Sequence, residues 1–106
     1  MNIIAITACP TGVAHTFMAK KKLEEAARKL GHSIKVETQG ATGIEDELTK
    51  EDVAEADILI LAVEVGISKK ERFANIKKVE IPIATAIKNA EGLIKKIEAK
   101  LNVPAK

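Results

Sequence analysis

Apolar residues along this chain recur with two different periods, and the changes between them divide the sequence into elements. Residues 2–7 form a short apolar run, which predicts a buried strand; Pro10 and Gly12 stop it in the segment Thr7-Ala8-Cys9-Pro10-Thr11-Gly12. From Ala14 or His15 to Leu30 the spacing becomes helical, with Ala19, Leu23, Ala26, Ala27 and Leu30 on one stripe and Gly31 closing the helix. On the polar side Lys20, Lys21, Glu24, Glu25, Arg28 and Lys29 are spaced for i,i+4 ion pairs. Residues 33–38 alternate as a strand, and residues 39–43, with two glycines, read as a loop. Thr49 and Asp52 have capping-box spacing and predict a short helix ending near Ala56. Residues 57–63 are apolar through their middle, as in a strand covered on both faces in the middle of a sheet. A polar, lysine-rich stretch with one helical turn around residues 69–73 leads to a fourth strand at about 77–81. Pro82 then opens a last helix whose stripe runs from Ile83 to Leu101, bent near Asn89 and Gly92.

Strands alternating with helices specify a parallel sheet with helices on its faces. The expected fold is therefore α/β: a Rossmann-like four-stranded parallel sheet with helices on both faces. The expected organisation is a single domain over residues 1–101 with a frayed tail at 102–106. At 106 residues, 46% of them apolar and 30% charged, the chain is long enough to bury one core and too apolar for a disordered polyampholyte. No run approaches the length of a spanning helix and Met1 leads directly into the first strand, which implies a cytoplasmic protein that does not itself span a membrane. The 17 basic and 15 acidic residues are interspersed, and Phe17 and Phe73 are the only aromatics. Nucleic-acid binding by a basic patch or by base stacking is thus disfavoured. One cysteine makes no internal disulfide and falls short of a structural zinc set, and no residue pattern calls for a cofactor or metal.

That cysteine stands where ligands bind in open parallel sheets, at the carboxyl end of a strand and just before a helix. The segment Cys9-Pro10-Thr11-Gly12-Val13-Ala14-His15-Thr16 can turn its backbone N–H groups toward one anion, with Gly12 easing the turn and the Thr11 and Thr16 hydroxyls as further donors. A thiol of ordinary pKa is only a few per cent thiolate at neutral pH, so nucleophilic use requires that pKa to fall. A helix terminus contributes about 0.3–1 kcal/mol, whereas one hydrogen bond to a charged acceptor contributes about 1.5–3 kcal/mol, so the loop amides outweigh the dipole. The same donors suit the equatorial oxygens of a phosphoryl group in transfer. A solitary cysteine at a strand end is more commonly a packing residue; the Pro-Thr-Gly sequence and helix start that follow favour chemistry. His15 has three readings: phosphate donor, proton-transfer helper, or polar residue at a helix start. His32, following Gly31, reads as solvated, as do the lysines at 20–22 and 69–78, while Phe17 and Met18 read as core or interface.

These residues bring a resemblance into view. Thr7-Ala8-Cys9-Pro10-Thr11-Gly12-Val13-Ala14-His15-Thr16-Phe17-Met18-Ala19 closely resembles the phosphocysteine loop of fructose-specific enzyme IIB domains of the phosphoenolpyruvate-dependent sugar phosphotransferase system. Val36-Glu37-Thr38-Gln39-Gly40 resembles the second-strand exit of the same domains, and Glu71-Arg72-Phe73 falls where they often carry an Arg-Phe pair. The resemblance runs over about residues 2–100. It implies that Cys9 accepts a phosphoryl group from a phosphohistidine of enzyme IIA and that residues 10–16 hold it. It further implies passage to a sugar bound by membrane enzyme IIC, fructose becoming fructose 1-phosphate, with the protein at the inner face of the membrane when docked. Family members commonly have Asp where this chain has Glu64, and Phe-x-Gly-Lys where it has Phe73-Ala74-Asn75-Ile76-Lys77. Those departures bear on sugar and partner more than on the chemistry.

The competing class is a hydrolase resembling low-molecular-weight tyrosine phosphatases, which place Cys-x5-Arg after a first strand. Here the sixth residue after Cys9 is His15, which lacks the bidentate guanidinium grip on phosphate. A passive anion-binding module leaves Cys9 without purpose, and a redox sensor lacks a resolving cysteine.

Overall fold

The computed structural model describes residues 2–8, 13–40, 43–64, 66–67, 69–74 and 76–101. Cys9, Pro10, Thr11 and Gly12 lie outside the described residues, as does the tail expected at 102–106. The chain runs β1 (Asn2–Ala8), α1 (Val13–Lys29), β2 (Ser33–Gly40), β3 (Gly43–Glu45), α2 (Lys50–Glu55), β4 (Ile58–Val63), a 3-10 turn (Lys70–Phe73), β5 (Lys78–Ile81) and α3 (Ile83–Leu101).

One sheet of order β3-β2-β1-β4-β5 contains all five strands. The four strands expected from the sequence are parallel to one another, with β1 in the centre and β4 an interior strand. The expectation of a four-stranded, purely parallel sheet is corrected by β3, which adds a fifth, antiparallel edge strand beside β2. β2 runs on through Gln39 to Gly40, which pairs with Gly43 in hairpin fashion. Glycines and polar residues hid this hairpin as a loop, because an edge strand three residues long carries no alternation long enough to recognise.

Side-chain alternation along β1 divides the interior into two layers. Ile3 and Ala5 join Val36, Ile58, Ile60 and the apolar stripes of α1 and α3; Ile4 and Ile6 face the other way, toward Leu48, Leu59 and Phe73. Helices therefore cover both faces, α1 with α3 on one and α2 with the 3-10 turn on the other. Gly31, at φ +81°, lets α1 end with the His32 amide donating to the Ala27 carbonyl (2.8 Å) and the Gly31 amide to that of Arg28 (3.1 Å). The capping box of α2 forms as expected: the Asp52 amide donates to Thr49 Oγ1 and the Thr49 amide to Asp52 Oδ2. The bend in α3 falls at Asn89 (φ −147°, ψ 48°), and Gly92 leaves the room that the Asn89 side chain occupies.

Two expectations about polar residues fail. His32 is buried, not solvated; its Nε2 pairs with a carboxylate oxygen of Glu98, tying the end of α1 to α3. Lys20 and Lys29 bridge to other elements, Lys20 to Asp46 and Lys29 to Glu91 at 3.3 Å, instead of forming i,i+4 pairs within α1. In both cases the tertiary partner is far along the chain, where helical spacing carries no information.

Candidate functional site

Residues 9–12 connect the carboxyl end of the central strand to the first residue of a 17-residue helix. The placement of Cys9 and of Pro10, Thr11 and Gly12 is outside the described residues, so the site is defined by what surrounds their two attachment points. On the strand side, Ala8 is in register with Gln39 of β2 and Val63 of β4, and its carbonyl accepts from the Glu64 amide at 3.0 Å. On the helix side, Val13 and Ala14 open α1, His15 is exposed and Thr16 is buried. Thr7 Oγ1 donates to the Thr16 carbonyl at 3.1 Å, pinning the strand end to the first turn of the helix.

The first turn of α1 has no acidic residue, and its last turn carries Arg28 and Lys29. The basic last turn suits the helix dipole, while the acid-free first turn leaves its positive end without a side-chain counter-charge, as an incoming anion would require. Thr16 Oγ1 is buried and, among the described residues, has no hydrogen-bond partner. A buried hydroxyl without a bond costs about 1–3 kcal/mol. Phe17 and Met18, expected in the core or at an interface, are about 43% and 47% exposed, which leaves the interface reading.

Buried polar side chains concentrate around this end of the sheet. Thr7, Thr16, Glu37, Thr38 and Gln39 are all buried there, and only His32 and Glu98 complete the buried polar set among the described residues. Glu37 is fully buried. Its carboxylate receives Arg72 Nη1 at 2.7 Å and Nη2 at 3.1 Å, Gln39 Nε2 at 2.6 Å and the Leu48 amide at 2.8 Å. Burial pushes the Glu37 carboxyl up, but the hydrogen bonds from Arg72, Gln39 and the Leu48 amide outweigh it and hold the group below its ordinary value. Arg72 also donates to the carbonyls of Leu48 (2.9 Å) and Lys69 (3.0 Å) and lies 4.6 Å from the Phe73 ring centroid.

Reading the sequence for chemistry missed Glu37, Gln39 and Arg72 as a unit. The available signal was Glu37-Thr38-Gln39 at the exit of a strand next to the central one, where solvated polar residues are out of place. Glu64 was noticed only as a departure from a pattern; its Oε1 accepts from the Ile83 amide at 3.0 Å and so caps α3 from the end of β4. Among the described residues there is no group of acids, histidines or cysteines arranged to hold a metal, and no helix long and apolar enough to cross a membrane.

With this geometry in place, comparison with known proteins decides the family. The family described as PTS system, lactose/cellobiose-specific IIB subunit, matches residues 4–96. The chain belongs to the IIB family of the sugar phosphotransferase system. It is 54% identical over 100 residues to the PTS system fructose-like EIIB component 2 of Escherichia coli K12, covering 94% of each chain. With the fructose-like EIIB component 1 of the same organism it shares 53% over 97 residues, 92% of this chain and 90% of that one. The solution structure of an enzyme IIB subunit from Escherichia coli K12 superposes with a TM-score of 0.90 at 50% identity, over 95% and 94% of the two chains. A crystallised domain of a fructose-specific IIABC component from Borrelia burgdorferi gives a TM-score of 0.86 at 45% identity, over 99% and 97%. As a IIB component, this chain is a phosphocarrier, a phosphotransferase component that works between enzyme IIA and membrane enzyme IIC.

Proposed function

We propose that the phosphoryl group rides on the sulfur of Cys9, that residues 10–16 hold it, and that the sugar served is fructose or a close relative. In the first step the Cys9 thiolate attacks the phosphorus of a phosphohistidine on IIA; an S–P bond forms, the N–P bond breaks, and the imidazole leaves carrying the electron pair. In the second, a hydroxyl of sugar held by IIC attacks that phosphorus, an O–P bond forms, and the S–P bond breaks to return the thiolate. The hydroxyl proton passes to a base on the IIC side or to solvent.

The observation that carries this reading is the pairing of a strand end with an acid-free helix start beside a buried hydroxyl lacking a partner. Thr16 Oγ1 is then a donor reserved for the phosphoryl oxygens, alongside the first amides of α1. Exposed His15, Phe17 and Met18 on the same helix start offer polar and apolar contacts to an incoming partner. The sugar assignment is supported by the fructose-like relatives, while the family description speaks of lactose and cellobiose. Against a phosphatase reading stands His15 in place of the arginine such enzymes need.

The test is phosphorylation by phosphorylated IIA followed by intact-mass and peptide mass spectrometry, with Cys9→Ser in parallel. We expect one phosphoryl group on Cys9 and none stably held by C9S, whose circular dichroism stays native. Transfer onward to fructose but not to lactose or cellobiose, in membranes containing candidate IIC proteins, identifies the sugar. Full sugar phosphorylation by C9S would sink the mechanism.

A further inference from the structure

The Glu37–Arg72 pair joins the two sides of the central strand. Glu37 lies on β2 and Arg72 on the segment after β4, and β1 runs between those two strands. The pair therefore passes across β1 on its α2 face, the face of Ile6, Leu48 and Phe73. It joins the chain following β2, through the Leu48 amide and carbonyl, to the chain following β4, through Arg72. Lys69, at φ +60°, repeats the crossing with a 2.8 Å bridge to Glu47. The two segments that follow the strands flanking β1 are thus fastened to each other, and Gln39, in register with Ala8, is held to the same carboxylate.

We propose that Arg72 is a positioning residue for phosphoryl transfer: it latches the segments that follow the strands on either side of β1, the strand that leads to Cys9, and cancels the buried charge of Glu37. This rests on the reading of Cys9 as the phosphorylated thiol. Cancellation matters because a thiolate, and still more a phosphocysteine dianion, forms less readily near an unpaired carboxylate. Strand geometry puts the Glu37 backbone about 8 Å from that of Ala8, two residues along at ~3.3 Å each and one strand over at ~4.8 Å. Of the other charges on the surrounding segments, Asp46 pairs with Lys20, Glu47 with Lys69 and Asp52 with Lys35, while Glu45, Lys70 and His15 are exposed to solvent. Exposed Glu71 adjoins Arg72, and exposed Glu64 caps α3, so Arg72 is the cation that answers Glu37.

The test compares Arg72→Gln, Glu37→Gln and Arg72→Lys in the full chain, each checked for a native thermal transition. The midpoint of Cys9 alkylation against pH reports thiolate formation without any donor protein, and steady-state transfer from phosphorylated IIA gives kcat and KM separately. R72Q should raise the thiol midpoint by about 0.8–1.5 pH units and E37Q should lower it by a similar amount, the effect of one unit charge at ~8 Å and an effective dielectric of about 20–40. R72K, which keeps the charge but not the two-pronged grip, should leave the midpoint within about 0.2 unit while kcat falls about tenfold and KM for IIA holds. Opposite shifts are the signature, since mere loosening of the fold does not change sign with the charge removed. Shifts in the same direction, no shift in E37Q, or native kcat in R72K would overturn the proposal. If R72Q fails to fold, E37Q and R72K decide it. Absence of phosphate on Cys9 in the unaltered protein would instead refute the carrier site, with the thiol titration still readable.

Discussion

Replacing Thr16 by valine separates stability from function in the first turn of α1. Thr16 is on the core-facing stripe that continues through Ala19, Leu23, Ala26 and Ala27, and its hydroxyl is buried without a partner. Valine has nearly the same shape and a similar helix propensity, so the substitution exchanges an unsatisfied hydroxyl for a methyl group. Relief of the hydroxyl is worth about 1–3 kcal/mol and burial of the methyl up to about 0.8 kcal/mol, against some crowding in a packed interior; a net gain of about 1–2 kcal/mol is expected. The Thr7 bond survives, because it ends on the Thr16 carbonyl. At about 2.1 cal/mol/K per residue, a chain of 106 residues unfolds with roughly 0.22 kcal/mol/K of entropy, so the melting temperature should rise by about 4–9 °C.

Calorimetry and urea titration measure that gain, with Thr16→Ser as the control that keeps the hydroxyl and loses the methyl. The same T16V protein should transfer phosphoryl groups from IIA about tenfold more slowly if the hydroxyl is held for the phosphoryl oxygens. A variant no more stable than the parent would show that the hydroxyl already has a partner, and the reasoning from its burial would fail. A stabilised variant with native transfer would leave the burial argument standing and remove Thr16 from the phosphate site.

Two further predictions concern the bend of α3 and the acid limb of stability. Gly92→Ala, which in an ordinary helix interior gains about 0.5–1 kcal/mol, should gain less here, because its new carbon would lie 2.5 Å from the tip of the exposed Asn89 side chain, which must turn away; in a denaturation series, Asn89→Ala in the same chain should restore the full gain. Glu37, held below the ordinary carboxyl range, contributes stability that is present above its unfolded value of about 4.3 and lost as pH falls through its lower folded value. Glu37→Gln should therefore cost about 2–3 kcal/mol at pH 7 and flatten the decline of stability below about pH 4, measured by urea denaturation between pH 3 and 7; an unchanged acid limb would contradict the assignment.

The parts of the fold legible in the sequence are those governed by local periodicity. The helical stripe of α1, the capping box at Thr49, the apolar run of β4 and the bend at Asn89 each depend on residues within a turn or two of one another, and each falls where expected. The antiparallel β3 and the pairing of His32 with Glu98 depend instead on contacts between residues distant in sequence or on a strand too short to show a period. His32 illustrates the difference: a histidine after a helix-closing glycine is locally a surface residue, and only the passage of α3 over the end of α1 buries it.

The site divides along the same line. The loop chemistry is contiguous, so Cys9 through Thr16 could be read as a phosphate-holding sequence without knowledge of the fold. The groups of the Glu37 cluster are drawn from three separate segments, at 37–39, at 48 and at 69–73, and meet only because β1 lies between β2 and β4. Their trace in the sequence is a contradiction: β2 places Lys35, Glu37 and Gln39 on one face, as an exposed strand would, yet the strand adjoins the central one and its Glu37 is wholly buried. A buried polar face next to the central strand is costly unless every group is bonded, and here an arginine from the far side of β1 supplies the bonds. That expense has no use in a fold selected for stability alone, since an apolar pair of similar volume would serve as well or better. It is intelligible where a thiol one residue beyond Ala8 must become an anion and then carry a dianion, because the surrounding charge has to be fixed in both place and sign before the phosphoryl group arrives.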